Sequence, residues 1–353
     1  SMNNVLHVLK VLDCSSVLAG PLTGSFLAEL GAHVVKVEAP SGDVTRTWLA
    51  RGERREGTSA YYEAANEGKH VVRKDLKSPE DREWLAHELA DADVLIQNFK
   101  ARDLDAMGLN PETVANRHPH LVHVRLVGFE HLPDRLAYDV VVQAEVGFMS
   151  MNGHSDRPPA RLPVALMDVM ASHQMRSAVL GGLYERAMTG KGPYAEVSLF
   201  GSGLTALANQ GTAVLMNETT PLRQGSSHPS IAPYGDLLQT ATGDLVIAVG
   251  SDHQFGALCK VLDLVHLVTD ERFATNPMRV IHRESLMNEL NGVTQGMERT
   301  ALLEALHEAR VPAGAVLTVT EALADTHIKA HYVVGDEGQE KLRTSAIEFR
   351  RFD

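Results

Sequence analysis

From Val8 to Val127 the sequence alternates short apolar runs, rich in β-branched residues, with longer segments of helical periodicity, and few folds accept that rhythm. Val8–Asp13 reads as a strand, and Leu22–Leu30 as a helix opened by Pro21 and closed by Gly31. His33–Glu38 is the next strand, completing a β-α-β unit. Ser78-Pro79-Glu80-Asp81 supplies the cap, proline and acidic first turn of another helix, and Val94–Ile96 the strand after it. Asn110-Pro111-Glu112 opens a third helix before a strand at Leu121–Val127. Strands joined through helices pair in parallel and leave both faces of the sheet covered. The expectation is an α/β fold with a Rossmann-like parallel sheet. Ligands of such sheets bind beyond the carboxyl ends of the strands, here the loops Cys14–Pro21, Glu38–Asp43 and Gln97–Arg102.

Further along, Pro163–Met188 has a long helical pattern that stops at Thr189-Gly190-Lys191-Gly192, and a second helix is expected from Ser198 to Met216. Pro221–Ser230 is polar and glycine-containing, the composition of an exposed loop. A strand at Asp244–Gly250, helices through Arg310, a break at Val311–Gly314 and a strand at Ala315–Leu317 follow. These predict a large domain over 1–224, a small α/β domain over 225–314, and a segment over 315–353 that returns to the large domain.

Composition removes several functions. The net charge of -12 over 353 residues opposes a nucleic-acid partner, which needs clustered cations. Two distant cysteines, Cys14 and Cys259, form neither a disulfide framework nor a zinc spacing, and the scattered histidines suggest no metal site. Ser1–Asn4 show no basic segment leading into an apolar stretch, and no apolar run reaches membrane-span length. A soluble cytoplasmic protein without a membrane partner is expected. The sequence holds no G-x-G-x-x-G after the first strand, no phosphate-binding G-x-x-x-x-G-K-[ST] and no G-x-S-x-G.

One residue stands out chemically. Asp168 is a lone charge in Val164-Ala165-Leu166-Met167-Asp168-Val169-Met170-Ala171. An isolated carboxylate is costly to bury, so it is paired, capping a helix, or functional. As a cap for a helix starting at Val169 it would bond free N–H groups. The capping and functional readings are compatible, because a helix N-terminus also helps to keep a nucleophilic carboxylate ionised at neutral pH.

Longer stretches carry a resemblance. Val11-Leu12-Asp13-Cys14-Ser15-Ser16-Val17-Leu18-Ala19-Gly20-Pro21, Leu27–Glu38, Gly42-Asp43-Val44-Thr45-Arg46 and Lys74-Asp75-Leu76-Lys77 occur in one order. Ala92–Phe99, Tyr138-Asp139, Arg186–Gly192, Arg223–Pro229 and Asp270–Asn276 continue it. Together they resemble the family III CoA-transferases of CaiB/BaiF type, which include formyl-CoA and carnitine CoA-transferases and α-methylacyl-CoA racemase. The resemblance implies an acyl-CoA and a small carboxylic acid as substrates, no permanently bound cofactor, and a homodimer of interlocked rings. It implies a nucleophile at Asp168 with Tyr138 beside it, and a mobile cover at Gly225-Ser226-Ser227. It implies coenzyme A contacts from Ser16, Val17, Leu18, Ala19, Lys77, Asn98 and Phe99.

The sequence departs from the family where an arginine usually precedes a Met-Gly pair: Ala106 stands there, and Arg102 is the nearby candidate for a phosphate contact. The expected activity is transfer of coenzyme A between acids through an aspartyl mixed anhydride, a transfer of sulfur-containing groups. A racemase of the same fold needs a base on each face of its substrate, and Tyr138 occupies the place of the racemases' histidine. A non-catalytic subunit of a heteromeric transferase is the other alternative.

Overall fold

The computed structural model describes residues 4–53 and 58–353; Ser1–Asn3, part of the N-terminal reading, lie outside them. The chain forms two compact units: one of residues 1–148, 161–220 and 329–353, and a second of residues 149–160 and 221–328. The stretch that rejoins the first unit therefore begins at Lys329, beyond the 314/315 boundary expected, and 149–160 group with the second unit.

The first unit is built on six strands: β1 (Lys10–Asp13), β2 (His33–Glu38), β3 (His70–Arg73), β4 (Val94–Gln97), β5 (Val122–Val127) and β6 (Tyr194–Ser198). Its helices are α1 (Ala19–Glu29), α2 (Ala60–Asn66), α3 (Pro79–Asp91), α4 (Ala101–Met107), α5 (Pro111–Arg117) and α6 (Asp139–Glu145). They continue with α7 (Phe148–Met151), which runs into the second unit, α8 (Leu166–Thr189), α9 (Leu199–Ala206) and α10 (Ala208–Asn217). All six strands pair in parallel, in the order β3-β2-β1-β4-β5-β6.

Alternate residues of each strand point to opposite faces. Val11, Val34, Ile96 and Val124 pack under α1 and α8 with Phe26, Leu27, Met175 and Val179. On the other face Leu12, Val35 and Leu95 meet Leu85, Leu89, Leu104 and Val114 of α3, α4 and α5. Each such side chain contributes about 1.5–3 kcal/mol by leaving water. Burial on both faces explains the neighbouring apolar residues, such as Val11-Leu12 and Val94-Leu95-Ile96, of the central strands.

Several elements differ from the sequence expectation. Tyr194–Ser198 is a strand, and Ser198 ends it by capping α9, its hydroxyl accepting from the Gly201 N–H. The helix expected from Ser198 to Met216 is broken, because Ala208 takes a positive φ of 48° and starts α10 anew. β3 and α2 had no counterpart in the sequence reading.

The second unit holds a three-stranded antiparallel sheet of β7 (Tyr234–Thr240), β8 (Gly243–Ala248) and β9 (Ala313–Ala315). Helices α11 (Asp252–Val261), α12 (Asn276–Ile281), α13 (Arg283–Thr294), α14 (Arg299–Glu308) and α15 (Val319–Leu323) accompany it. Leu245, Ile247, Phe255, Leu286, Leu290 and Leu306 form its own core. β9 contains Gly314, two residues before the expected strand, since the glycine extends within the sheet instead of breaking it. Among the described residues no helix is long and apolar enough to cross a membrane.

In the first unit, Thr344 N–H donates to Glu29 at 2.9 Å and Lys341 to Ser25 Oγ at 3.1 Å, tying the last residues to α1.

Candidate active site

The strand order reverses between β1 and β4, so their following loops diverge and leave a crevice between them. Two hydrogen bonds clamp those loops: Ser16 N–H donates to Asn98 Oδ1 at 3.1 Å, and Asn98 Nδ2 donates to Ser16 O at 2.9 Å. Beneath them lies a buried pair. Lys36 Nζ donates to Asp43 at 2.9 Å and to Ser15 O at 3.1 Å, while Asp43 accepts the Val17 N–H at 3.3 Å. So held, Val17 adopts φ +75°, a left-handed conformation that is unfavourable for a β-branched residue by about 1–3 kcal/mol. A second buried pair, Asp13 with Lys69 at 2.8 Å, sits at the end of β1. Gly24 leaves it room, because a Cβ there would come within 2.4 Å of Asp13 Oδ2.

α1 starts without a side-chain cap, and its first N–H, from Ala19, favours the ionised form of the Asp168 carboxylate. Asp168 is the third residue of α8 and does not cap its own helix. That cap comes from Asp139, the first residue of α6. Its Oδ2 accepts the Met167 N–H at 2.6 Å and the Asp168 N–H at 3.3 Å. Gln143 Nε2 steadies Asp139 Oδ1 at 2.6 Å, and Gln143 Oε1 accepts the Leu162 N–H at 2.8 Å. The capping role expected of Asp168 thus belongs to Asp139, and the Asp168 carboxylate is left for other work.

Its electrostatics also correct the expectation. Burial first, and the neighbouring Asp139 charge second, push the Asp168 carboxyl up to about 7 against the opposing Ala19 N–H. Helix N-termini do not keep it fully ionised at neutrality. Burial dominates.

Asp168 lines a cavity of about 150 Å³ with Ser16, Val17, Ala19, Asn98, Tyr138 and Asp139. Tyr138 precedes α6 as its N-cap residue, more than half exposed. A second cavity of about 350 Å³ shares Ser16 and adds Ala39, Pro40, Lys74, Lys77 and Phe99. Lys77 pairs with Asp103 at 2.9 Å. Leu18 and Arg102 line neither cavity; Leu18 is the residue before α1, and Arg102 is exposed on α4. Ala106 is exposed near the end of the same helix.

Gly225 and Ser226 lie in the second unit. Gly225 has φ +62°, and a Cβ there would meet the His154 ring at 2.9 Å, so glycine is required on two counts. Its N–H donates to Gly153 O at 3.0 Å, and the adjacent Ser227 Oγ donates to Asp236 at 2.6 Å.

Sequence reasoning assigned no role to Asp139, although it lay in the Tyr138-Asp139 motif. Tyr61 of α2 was missed altogether. Burial, Asp168 and Asp139 together push its hydroxyl up to about 12, and its ring meets Trp48 edge-on at 5.2 Å. An aromatic pair, Tyr61-Tyr62, in a chain with 5% aromatics was the available signal.

The family model for CoA-transferase family III matches residues 6–350. A succinate–glutarate CoA-transferase of Agrobacterium fabrum is 36% identical over 92% of this chain and 83% of its own length. An acetyl-CoA:oxalate CoA-transferase of Acetobacter aceti is 35% identical over 89% and 81%. Among solved structures, a CAIB/BAIF family protein from Brucella suis superposes with a TM-score of 0.88 at 38% identity, covering 98% of this chain and 93% of that one.

Proposed function

This chain belongs to CoA-transferase family III, and from that premise we propose a covalent route for the coenzyme A transfer, with Asp168 as nucleophile. The Asp168 carboxylate attacks the thioester carbonyl of a donor acyl-CoA. The C–S bond breaks, coenzyme A leaves as thiolate, and an aspartyl mixed anhydride remains. The thiolate then attacks the aspartyl carbonyl, releasing the donor acid and leaving Asp168 as a thioester. An acceptor carboxylate attacks that thioester and sends the thiolate out again. Its return to the acceptor's carbonyl in the new anhydride forms the product and restores Asp168.

The observation that carries this reading is the division of labour between two carboxylates. Asp139 satisfies the first turn of α8, so Asp168 faces the cavity with its carboxylate uncommitted to its own helix. A carboxyl raised to about 7 is also a better nucleophile than an ordinary aspartate, at the cost of being half protonated at neutrality.

Donors for the developing oxyanion follow by elimination. The α8 N–H groups bond Asp139, the Ser16 N–H bonds Asn98 and the Val17 N–H bonds Asp43. That leaves the start of α1, where the Ala19 N–H already reaches Asp168. In this reading the nucleotide end of coenzyme A occupies the larger cavity near Lys77 and Phe99. The pantetheine arm crosses Ser16 and Val17, and Tyr138 contacts the acyl group. Gly225 and Ser226 belong to the cover that keeps water from the anhydride. Arg102, outside both cavities, is left without a role. The names of the relatives favour short dicarboxylates as acids.

Incubation with succinyl-, acetyl- or formyl-CoA followed by hydroxylamine is expected to leave a hydroxamate at Asp168, read by peptide mass. Unlabelled Asp168 under turnover conditions ends the covalent reading. Deuterium appearing at the substrate α-carbon instead would support racemisation.

The proposal includes a homodimer. Leu180, Tyr184 and Met188 form an exposed row at four-residue spacing on α8, Tyr184 and Met188 being 70% and 68% exposed. Leu215 and Met216 of α10 are 87% and 75% exposed. Such apolar area is costly in water. The chain is expected to sediment as a dimer, and Tyr184→Lys with Leu215→Lys to shift it to monomer. A wild-type monomer at micromolar concentration removes this part of the proposal.

A further inference from the structure

Asp139 does two things to the same helix. Its Oδ2 takes both free N–H groups of the first turn of α8, one of them from Asp168 itself, at 2.6 and 3.3 Å. Its charge lies close enough to Asp168 to oppose ionisation there. A serine or asparagine would be sufficient to cap a helix. A carboxylate at this point is costly, since its charge opposes that of a second carboxylate. Gln143, bonded to Asp139 and to the Leu162 backbone, holds it there.

Among the described residues, Asp139 is the charged group that acts on the Asp168 carboxyl. On α6, Glu145 is paired with Arg135 at 2.6 Å, and on β5 Arg125 donates to Phe99 O at 2.9 Å. On α1, Glu29 is engaged with Thr344, and on α2 Tyr61 keeps its proton, pushed up to about 12. On β6, Glu196 lies 3.5 Å from Arg125. α9 carries no ionisable residue, and His173 and Arg176 lie beyond the first turn of α8.

We propose that Asp139 is a positioning residue for the transfer, fixing the first turn of α8 while setting its own negative charge against the nucleophilic carboxyl. The inference rests on the covalent role of Asp168. Asp139 keeps the nucleophile basic at the cost of its ionised fraction, and the Ala19 N–H limits how far this goes. A carboxylate that attacks a thioester gains reactivity from basicity, and one held at an ordinary value would be fully charged but weaker.

The test is the pH dependence of kcat/KM beside a carbon-13 NMR titration of the Asp168 carboxyl, in the intact chain. For Asp139→Asn the Asp168 midpoint should fall by about one pH unit or more, with a several-fold lower limiting rate at high pH. Asp139→Glu, which keeps the charge, should hold the midpoint near the wild-type value. A midpoint that Asp139→Asn leaves in place, or raises, overturns the proposal whatever the rate does. If Asp139→Asn does not fold, Asp139→Ser, a cap oxygen without charge, makes the same distinction. Failure of the covalent reading shows separately: an active Asp168→Asn removes the nucleophile, while the titration still reports whether Asp139 sets that carboxyl.

Discussion

Asp168→Asn is expected to abolish turnover and, above neutral pH, to make the protein more stable than the wild type. Asparagine copies the shape of a protonated aspartate, but it cannot form an anhydride. The stability effect follows from the raised carboxyl. The unfolded group loses its proton near its ordinary value of 3.8, whereas the folded one keeps it until about 7. Between those values the folded state binds the extra proton, so stability falls as pH rises through that window, and the loss is complete above it. The side chain retains some contact with solvent, so the penalty that the substitution removes is roughly 1–3 kcal/mol. Melting curves at about pH 8.5 should show a gain of a few degrees, vanishing at about pH 4 or below. Wild-type turnover in the variant would remove Asp168 from the reaction. An equal gain at both pH values would remove the electrostatic account.

Lys69→Met is expected to destabilise the protein by about 3–5 kcal/mol, a drop of roughly ten degrees in Tm. Lys69 Nζ is fully buried and donates to Asp13 at 2.8 Å, to Pro21 O at 2.7 Å and to Asn66 Oδ1 at 2.9 Å. Removing the ammonium leaves the Asp13 carboxylate buried with only Ser15 to bond. Burial pushes the Lys69 ammonium down to about 8, against the opposing pull of Asp13. The double variant Asp13→Asn with Lys69→Met should recover part of the loss, because the orphaned charge is gone. Chemical denaturation of the three variants measures it. A single variant within about 1 kcal/mol of wild type would show that water reaches Asp13.

The strands read from the sequence and those missed divide by position in the sheet. β1, β2, β4 and β5 are interior, buried on both faces, and their valine, leucine and isoleucine residues mark them. β3 and β6 are the two edges, half-buried, with polar residues such as Arg73 and Glu196. Nothing in Tyr194–Ser198 distinguishes it from a loop leading to a helix until a neighbour is supplied. The site divides in a similar way. Asp168 was visible because a lone charge in an apolar run needs a reason. Lys36, in His33-Val34-Val35-Lys36-Val37-Glu38, carries the same signal and went unread; its reasons are Asp43 and the Ser15 carbonyl. Asp139 was noticed only as half of a motif, because capping a helix from outside is a relation between segments that local spacing does not encode. The reading of Asp168 as the cap of a helix starting at Val169 failed on the same ground.

The left-handed backbone at Val17 has one more consequence. A glycine there would move through many conformations at similar energy, and the segment would yield by degrees. Valine has few acceptable alternatives, and three neighbours must act together to keep it where it is. If any one of those three grips were weakened, the change in behaviour should be abrupt, not gradual.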